Sequence, residues 1–416
     1  MTVPTAKPLA GLRVLDYAQY VAGPFAAMML ADLGAEVIKV EPPNGDAWRH
    51  YEPLTPDGGR WFISLNRNKK SVVADLKTER GQDFSRALIR TADVVIHNMP
   101  PERALRFGLD RDTVKSVNPD AVWCCVSAFG TDGPESQTLG YDLIAQAASG
   151  LLLADARSGD PVPRRSGGIA MADLTAGLLT FAAALAGLTD RFRRHDETGV
   201  SKGFEVSLLG ASLAVQVQRF VSVGDGEFDD APGVCDETRL EQLAETVTES
   251  DELEPYYRCY AASDGFIALA CLNLAQRRKV QALLGIDDPW AVNPQAVPAD
   301  QAEREMRSSL KHRFAEVIKT DTVSHWIAAF EELGVPAGPV REITQAHSLP
   351  QVRANGLVQT IEQPEIGPVS VLGSIFKIDG HARPDAGSAP RLGEHTQQLT
   401  ELVSATHTSE GIATAR

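Results

Sequence analysis

The stretch LRVLDYAQYVAGPFAAMMLADLGAEVIKVE, residues 12–41, contains the pattern that decides the fold. Its first part, LRVLDYA (12–18), is apolar enough for a buried strand, and Pro24 suits the first position of a helix. FAAMMLADLG then has helical spacing, and EVIKVE (36–41) predicts a second strand. A strand, a helix and a strand within about thirty residues indicate a right-handed parallel crossover.

The same alternation continues along the first third of the chain. SVVADL (71–76), DVVIHN (93–98) and AVWCCVSA (121–128) predict further strands, with helical segments between them. Alternating strands and helices imply an α/β fold with a doubly wound, Rossmann-like parallel sheet. Such a sheet binds its ligands at the carboxyl ends of its strands.

The second half of the chain changes character. LTAGLLTFAAALAGL (174–188) predicts a buried helix, and residues 203–223 predict another long helix. YYRCYAASDGFIALACLN (256–273) predicts a hairpin with Asp264 and Gly265 at its turn. We expect a large domain from both chain ends and a smaller α+β domain. The expected bounds are 1–223 for the large domain, 224–255 for an acidic linker or loop, 256–333 for the small domain, and 334–416 for a return to the large domain with a frayed tail.

Composition and charge exclude several classes of protein. The formal net charge of −15 argues against nucleic acids and anionic membranes as partners, but it leaves room for an anionic ligand in a local cationic groove. The N-terminus lacks the pattern of a secretory signal, and no apolar run approaches the ~20 residues of a membrane helix. Five cysteines without a C-x-x-C pair indicate a reducing compartment. We therefore expect a cytoplasmic protein.

Two common kinds of site find little support. The turn 19–25 has one glycine where a dinucleotide-binding turn needs three, so a NAD-dependent oxidoreductase is disfavoured. Glu41 nevertheless lies where a ribose-binding acid would lie. The nine histidines are scattered, without H-x-x-x-H spacing or a nearby cysteine pair, so we expect no metal site.

Two features remain as candidate chemistry. GIAMADLTAG (168–177) places Asp173 among small and apolar residues, where an ionised carboxylate is costly unless something compensates it. Asp173 is either the N-cap of the following helix or a covalent carboxylate catalyst; the pattern alone favours the cap, and one residue can do both. The basic segments 66–77 and 100–108 could converge on a phosphate-bearing ligand, but the pattern favours a solvated basic face.

Several motifs resemble the family III CoA-transferases, the CaiB/BaiF group that includes formyl-CoA and carnitine CoA-transferases. They are LAGLRVLDYAQYVAGPFAAMMLADLGAEVIKVEPPNGD, SLNRNKKSVVADLKTERG, ADVVIHNMPPERALRFGLD and RLGEHTQQL, in order from about Leu9 to Leu402. The resemblance implies a Rossmann-like large domain and a small domain in each of two interlocked identical chains. It overturns the preference that the pattern alone gives at Asp173 and in the basic segments.

The resemblance also implies a mechanism on Asp173. Its carboxylate would attack a donor thioester to give a mixed anhydride and CoA thiolate, and the thiolate would then form an aspartyl-CoA thioester. A free carboxylic acid acceptor would take CoA from that thioester by the reverse steps. Tyr141 and Gln146 would line the reacting thioester.

Acyl-CoA would be a substrate, with no tightly bound cofactor. Lys77 and Arg106 would meet its phosphates, and Asn98 would hold its adenosine or pantetheine portion. The residues that correspond to the family's CoA contacts are Val21, Ala22, Ala74, Asp75, Leu76, Lys77, Asn98, Arg106, Leu139, Gly140, Tyr141 and Asp142.

Three rival functions compete with this prediction. The related α-methylacyl-CoA racemases carry His-Asp where this chain has Tyr141 and Asp142, and tyrosine is a poor base for racemisation. A NAD-dependent oxidoreductase and a non-catalytic CoA-binding protein are the remaining two.

The chain also departs from the family pattern in two places. Pro42 stands where some members place an arginine on CoA, and the glycine run of the oxalate-type enzymes is absent from 256–334. The second departure disfavours formyl and oxalyl substrates. The acidic segment 224–255 could close over the site instead.

Overall fold

The structure is a computed structural model that describes residues 7–154, 156, 160–193, 199–221, 235–244, 254–293, 298–378 and 384–413. The chain divides into two compact units. The large unit comprises Met1–Leu152, Arg165–Asp229 and His347–Arg416, and the small unit comprises Leu153–Arg164 and Asp230–Ala346. The chain thus returns to the large unit at residue 347, later than the expected residue 334.

Strands and helices are numbered here in chain order. The strands are β1 (Arg13–Asp16), β2 (Glu36–Glu41), β3 (Pro53–Thr55), β4 (Gly58–Gly59), β5 (Lys69–Val73), β6 (Val94–His97), β7 (Val122–Ser127), β8 (Gly203–Ser207), β9 (Tyr257–Ala261), β10 (Phe266–Ala270), β11 (Ala337–Pro339), β12 (Val358–Gln363) and β13 (Gly367–Leu372). The helices are α1 (Ala22–Asp32), α2 (Arg60–Asn66), α3 (Glu79–Ile89), α4 (Pro101–Arg106), α5 (Arg111–Val117), α6 (Asp142–Ala148), α7 (Met171–Arg193), α8 (Leu208–Ala214), α9 (Leu274–Leu284), α10 (Gln301–Ile318), α11 (Val323–Glu332), α12 (Ile343–Ala346), α13 (Pro350–Ala354) and α14 (Thr396–Ala413).

A six-stranded parallel sheet forms the centre of the large unit, in the order β5-β2-β1-β6-β7-β8. Leu15, Ile38 and Val95 are buried in three neighbouring strands, as expected for a sheet that is covered on both faces. The strand order reverses between β1 and β6, and a reversal of this kind opens a crevice outside the carboxyl ends of the strands. The predicted mixed α/β fold with a parallel sheet is therefore confirmed.

The prediction of one long helix over 203–223 is wrong. Its first part is β8, which pairs in parallel with β7, and only a short helix, α8, follows. Gly203 packs closely against Trp123 of β7. A Cβ at this glycine would lie 3.1 Å from the indole ring. The Ser207 hydroxyl accepts a hydrogen bond from the Gly210 N–H at 2.9 Å and so begins α8. A strand of five residues that runs directly into a helix is too short for its sequence pattern to be distinguished from that of the helix.

The C-terminal segment covers the outer edge of the sheet at β5. Gly393 N–H donates to the Ser71 hydroxyl at 2.9 Å, His395 N–H donates to the Ser71 carbonyl at 2.9 Å, and Val73 N–H donates to Thr396 Oγ1 at 3.0 Å. These bonds satisfy an edge that would otherwise be open to another chain. The tail that we expected to fray is helical as α14.

Helices α1 and α7 pack closely on one face of the sheet. A Cβ at Gly177 would lie 2.8 Å from the Ala22 carbonyl oxygen, so the absence of a side chain permits this approach. Helix α1 begins at Ala22, and Pro24 is its third residue where we expected the first. Helix α7 is long and apolar enough to cross a membrane by length and composition, but Ala176, Ala184 and other residues of it are buried within the unit.

The small unit contains the predicted hairpin, in which β9 and β10 pair antiparallel and the Ala262 N–H donates to the Gly265 carbonyl at 2.8 Å. Strand β11 pairs with β10, which explains why the small unit extends beyond residue 333. Helices α9, α10 and α11 cover this sheet around Phe314 and Phe330. Residues 224–234 and 245–253, which make up most of the acidic segment 224–255 that could close over the site, lie outside the described residues.

Candidate active site

Asp173 is the third residue of α7 and not its N-cap. The cap comes from a distant carboxylate: Asp142 Oδ1 accepts hydrogen bonds from the backbone N–H of Ala172 at 2.9 Å and of Asp173 at 3.4 Å. A charged acceptor at this position satisfies the free N–H groups of the first helical turn. The N-cap assignment at Asp173 is therefore wrong, because the capping group lies in another helix, α6.

Gln146 holds Asp142 in place. Its side-chain amide donates to Asp142 Oδ2 at 2.8 Å, and its Oε1 accepts from the Ser166 N–H at 3.1 Å. Gln146 is fully buried. These bonds make Gln146 a positioning residue for the start of α7, whereas the family resemblance implies a place beside the reacting thioester.

The carboxylate of Asp173 is left without a partner. Among the described residues no group donates a hydrogen bond to it or forms an ion pair with it. Burial, followed by the negative charge of Asp142, raises the pKa of Asp173 to about 7. A carboxylate that is poorly solvated and unpaired is a stronger nucleophile and base than one held by donors.

The packing of α7 against α1 locates this carboxylate. Asp173 lies one helical turn before Gly177, which contacts the first residue of α1. Residues four apart lie on one face of a helix, and helical side chains lean toward the N-terminus. Asp173 therefore faces the β1–α1 turn, residues 19–21. The turn that leads into α7 contains Gly167 and Gly168, both with positive φ (59° and 66°), and the space beside Gly168 is open.

Tyr20 in the β1–α1 turn contacts Tyr141. Their ring centroids are 5.5 Å apart in an edge-to-face arrangement, and Trp48 lies on the other side of Tyr20 at 5.6 Å. The neighbouring Tyr141, followed by burial, raises the pKa of Tyr20 to about 12. Tyr20 has a φ of 69°, which is rare for a bulky side chain. Sequence analysis missed Tyr20, since a positive φ leaves no mark in the sequence of a non-glycine residue.

Buried ion pairs bind the backbone of the β1–α1 turn and of the residues that flank it. Lys39 Nζ donates to the Ala18 carbonyl at 2.8 Å and lies 2.9 Å from Asp46 Oδ2, while Asp46 Oδ1 accepts from the Tyr20 N–H at 3.4 Å. Lys69 Nζ lies 2.8 Å from Asp16 Oδ2 and also donates to the Pro24 carbonyl at 2.9 Å. Burial outweighs the attraction of Asp16 and lowers the pKa of Lys69 to about 8.

These contacts correct the prediction for the basic segment 66–77. Arg67 is buried in a bidentate pair with Asp32, Lys69 belongs to the buried network, and Lys70 Nζ pairs with Glu36 at 2.6 Å. These three side chains are bound to acidic residues, so they form neither a solvated basic face nor a ligand-binding surface. Lys77, at the end of the segment, differs from them because it lines a cleft.

That cleft has a volume of about 370 Å³ and lies at the carboxyl ends of β1, β2, β5 and β6. Its cationic side chains are Lys77, Arg103 and Arg106, and Arg106 stacks on Phe107 with its guanidinium carbon 5.0 Å from the ring centroid. The segment after β5 supplies one wall. Of the predicted CoA contacts, the cleft brings together Ala74, Asp75, Leu76, Lys77 and Arg106; Pro42 lines it too.

The remaining predicted contacts lie elsewhere in the large unit. Val21 and Ala22 are buried at the start of α1, and Leu139, Gly140 and Tyr141 precede α6. The predicted contact Asn98 is bonded at both ends to the backbone of Gln19, with its Oδ1 accepting at 3.0 Å and its amide donating at 2.8 Å. Gln19 itself lines the cleft, so Asn98 shapes the wall through it. No group of metal-binding side chains occurs among the described residues.

The geometry connects the cleft with the carboxylate through the β1–α1 turn. Gln19 lines the cleft, Tyr20 contacts Tyr141, and Asp173 faces the same turn. A ligand with a phosphate-bearing end in the cleft and a reactive end at Asp173 would fit this arrangement.

Comparisons with known proteins identify the family of the chain. The family model for CoA-transferase family III matches residues 9–396. Succinyl-CoA:glutarate CoA-transferase of Mus musculus is 33% identical over 405 residues, which cover 95% of this chain and 86% of that protein. Succinate–glutarate CoA-transferase of Agrobacterium fabrum is 34% identical over 417 residues, which cover 95% of this chain and 96% of that protein.

Solved structures give the same result. A CaiB/BaiF family protein from Brucella suis has a TM-score of 0.72 and 29% identity, covering 95% of this chain and 99% of that chain. The orthorhombic form of Rv3272 from Mycobacterium tuberculosis has a TM-score of 0.75 and 26% identity, with coverage of 95% and 99%. The chain therefore belongs to CoA-transferase family III, and it is a CoA-transferase.

Proposed function

We propose that this enzyme moves CoA between carboxylic acids through covalent intermediates on Asp173. A carboxylate oxygen of Asp173 attacks the thioester carbonyl carbon, the carbon–sulfur bond breaks, and CoA leaves as the thiolate. The thiolate then attacks the Asp173 carbonyl of the mixed anhydride and releases the donor acid, which leaves an aspartyl-CoA thioester. The acceptor carboxylate repeats these two steps in reverse and departs as the new acyl-CoA. Charge balances without any proton transfer.

The unpaired carboxylate of Asp173 is the observation that carries this proposal. Its pKa of about 7 means that a large fraction is ionised at neutral pH although few groups solvate it. A nucleophile of this kind loses little solvation when it attacks. Racemisation would need a second base, and Tyr141, which packs edge to face against Tyr20, has no histidine beside it in the sequence.

The cleft supports a place for CoA. Lys77, Arg103 and Arg106 offer three cations to its phosphates, and guanidinium groups suit bidentate phosphate contacts. The pantetheine arm would then pass Gln19 and bring the thioester to the β1–α1 turn. The sheet order, counted by its own strands, is 3-2-1-4-5-6, which supports a Rossmann-like classification of the large unit.

We further propose short dicarboxylic acids as the preferred acyl groups. The relatives from Mus musculus and Agrobacterium fabrum, at 33% and 34% identity, carry succinyl-CoA or succinate and glutarate in their names. A dicarboxylate keeps one free carboxylate after acylation, and that charge favours a cation nearby. Arg165 is an exposed cation in the turn before α7, where its guanidinium donates to the Gly168 carbonyl.

An interlocked homodimer is also part of the proposal. Leu178 and Leu179 of α7 and Val217 and Phe220 after α8 are large apolar side chains that this single chain leaves exposed. Exposed apolar side chains on and beside two helices that pack together favour a protein interface. Light scattering should give the mass of a dimer that persists on dilution, whereas a monomer would contradict this part. A cytoplasmic location stays a prediction.

Exchange assays test the proposal. Purified enzyme is incubated with succinyl-CoA and glutarate, and the two acyl-CoA species are separated by chromatography. We expect exchange by the wild type and by the surface control Asp83→Ala, and none by Asp173→Ala. We also expect no exchange of the α-proton for deuterium when a branched acyl-CoA is incubated with the enzyme in deuterated water. Undiminished exchange by Asp173→Ala would contradict the proposal.

The acceptor class has its own comparison. Glutarate and valerate have chains of the same length, but valerate lacks the second carboxylate. We expect glutarate to be the better acceptor and Arg165→Gln to raise the KM for glutarate about tenfold without changing the KM for valerate. Equal use of both acids by the wild type would refute the dicarboxylate preference and leave the aspartyl mechanism untouched.

A further inference from the structure

The C-terminal motif RLGEHTQQL (391–399) has no part in the proposed mechanism, although it is one of the stretches that carry the family resemblance. It contacts the fully buried Ser71 of β5. The Gly393 N–H donates to the Ser71 hydroxyl at 2.9 Å, and that hydroxyl donates to Glu41 Oε1 at 2.6 Å. Glu41 lines the cationic cleft. A single hydroxyl therefore connects the C-terminal motif to a wall of the cleft.

The Glu41 carboxylate is fully occupied. Arg49 donates to both of its oxygens at 2.7 Å, and the Asp46 N–H donates to Oε2 at 3.0 Å. A carboxylate offers about four acceptor positions, so these three bonds and the one from Ser71 leave none for a ribose hydroxyl. Arg49 also donates to the Pro390 carbonyl at 3.1 Å. Glu41 therefore does not bind the ligand but holds the end of β2 against residues 390–396.

Residues 390–396 also hold the other wall of the cleft, which follows β5 and consists of residues 74–77. The His395 N–H donates to the Ser71 carbonyl at 2.9 Å. The Val73 N–H, at the end of β5, donates to Thr396 Oγ1 at 3.0 Å. Ser71 thus lies where residues 390–396 bind both walls, since its carbonyl fixes β5 and its hydroxyl fixes Glu41 at the end of β2.

We propose that Ser71 is a positioning residue for the nucleotide portion of acyl-CoA: its hydroxyl joins residues 390–396 to Glu41 and so fixes the spacing of the two cleft walls. Ser71 is fully buried and acts through Glu41. Without the hydroxyl, the Gly393 N–H loses its acceptor and Glu41 loses one donor, so the walls are held less firmly. This inference rests on the proposed function, since it places CoA in the cleft.

Two thioesters of the same acyl group test this role: succinyl-CoA, and succinyl-pantetheine, which lacks the nucleotide portion. Initial rates of exchange with glutarate are measured for both. We expect the wild type to prefer succinyl-CoA by about 100-fold in kcat/KM. Ser71→Ala should lower kcat/KM for succinyl-CoA about fivefold, through KM, and leave kcat/KM for succinyl-pantetheine unchanged. A smaller folded fraction lowers both values equally, so it does not imitate this result.

Gly393→Ala breaks the same connection at its other end. Gly393 has a φ of 68°, and a Cβ there would lie 3.0 Å from Val73 Cγ2, so alanine displaces the N–H from the Ser71 hydroxyl. We expect the same selective loss, and no further loss when the two substitutions are combined. Thr400→Ala is the matched control, because the Thr400 hydroxyl bonds only the Thr396 carbonyl of its own helix.

The outcomes separate this role from packing and from the proposed function. Three results would each overturn the inference: an unchanged preference for succinyl-CoA in Ser71→Ala, an equal fall in kcat/KM for both thioesters, or the same selective loss in Thr400→Ala. A full additional loss in the double variant would overturn it as well. An active Asp173→Ala would instead overturn the proposed function, so the two failures are distinguishable.

Discussion

The large unit treats its buried carboxylates in two opposite ways. Glu41 forms a bidentate pair with Arg49, with both N–O distances at 2.7 Å, and accepts a further bond from Ser71 at 2.6 Å. Asp16 is held by Lys69 at 2.8 Å and by the Ala18 N–H at 3.0 Å. Burial opposes ionisation at both, but these partners, together with Lys39 at 3.7 Å from Asp16, outweigh it and hold the pKa of each below its usual range.

Asp173 lies in the same unit and receives none of this support. Burial and the charge of Asp142 act together there, and they move its pKa upward to about 7. The fold supplies Glu41 and Asp16 with cations and hydrogen bonds, and it leaves the half-buried carboxylate of Asp173 with neither. A half-buried carboxylate without a partner costs stability, so its presence at the start of α7 indicates a catalytic use.

The largest effect that this contrast predicts is on activity. Asp173→Asn removes the nucleophile and keeps the size of the side chain, so we expect CoA exchange to fall by about 10⁴-fold or more. Steady-state exchange between succinyl-CoA and glutarate measures it. Binding of CoA, measured by calorimetry, should persist because the cleft is untouched. If Asp173→Asn retains a tenth of the wild-type activity, Asp173 is not the nucleophile, and its lack of a partner has no catalytic meaning.

The second prediction concerns the supported acids. Asp16→Asn leaves the buried charges of Lys39 and Lys69 with less compensation, so we expect the free energy of unfolding to fall by about 3–5 kcal/mol. Urea denaturation at pH 7 measures this change. If the variant is as stable as the wild type, the ionic network does not support the β1–α1 turn in the way described.

The third prediction is an increase in the free energy of unfolding, opposite to the decrease expected for Asp16→Asn. Because the folded pKa of Asp173 lies above its ordinary value of 3.8, ionisation costs the folded state stability as the pH rises through about 7. Asp173→Asn should therefore unfold at a free energy about 2 kcal/mol higher than the wild type at pH 8. This gain should shrink as the pH falls from 7 toward 4. A destabilised Asp173→Asn at pH 8 would mean that the carboxylate has partners after all.

The cleft provides a prediction of intermediate size. Lys77→Ala and Arg106→Ala should each raise the KM for acyl-CoA about tenfold and leave kcat nearly unchanged, since in the proposed function these cleft residues bind the phosphates, far from the reacting thioester. Arg86→Ala on the exposed face of α3, where Arg86 pairs with Asp83, is the matched control. An effect on kcat alone would place these cations at the reacting centre instead.

The smallest expected effect is on pH dependence. The wild-type rate should rise with pH through about 7 as Asp173 ionises. Asp142→Asn removes the neighbouring negative charge but not the burial, so we expect this midpoint to move down by about one pH unit or less. Rate profiles between pH 5 and 9 measure the shift. An upward shift would assign the profile to another group.

The sequence predicts the parts of the molecule whose pattern is local. The apolar runs of β1, β2, β6 and β7 and the Asp264–Gly265 hairpin are recognisable without knowledge of their neighbours. The resemblance to the family identifies the enzyme class. The pattern of residues 203–223 predicts a helix wrongly, because β8 is short and gains its stability from pairing with β7.

The rest of the site depends on contacts between distant residues. Nothing near Asp173 in the sequence indicates that Asp142 caps its helix, since 31 positions separate the two residues. The basic character of Arg67 and Lys69 does not indicate that buried acids pair with both of them. The strain at Tyr20 exists only in the folded chain. Sequence reasoning finds such groups by type and misses what they bond to.

Mass spectrometry of the trapped enzyme tests the central assignment most directly. The enzyme is mixed with succinyl-CoA alone, quenched with hydroxylamine and digested, and the peptide that contains Asp173 is analysed. We predict a hydroxamate on Asp173 in the wild type and an unmodified peptide when CoA replaces succinyl-CoA. An unmodified Asp173 in an enzyme that is exchanging CoA, or a hydroxamate on a different carboxylate, would contradict the account.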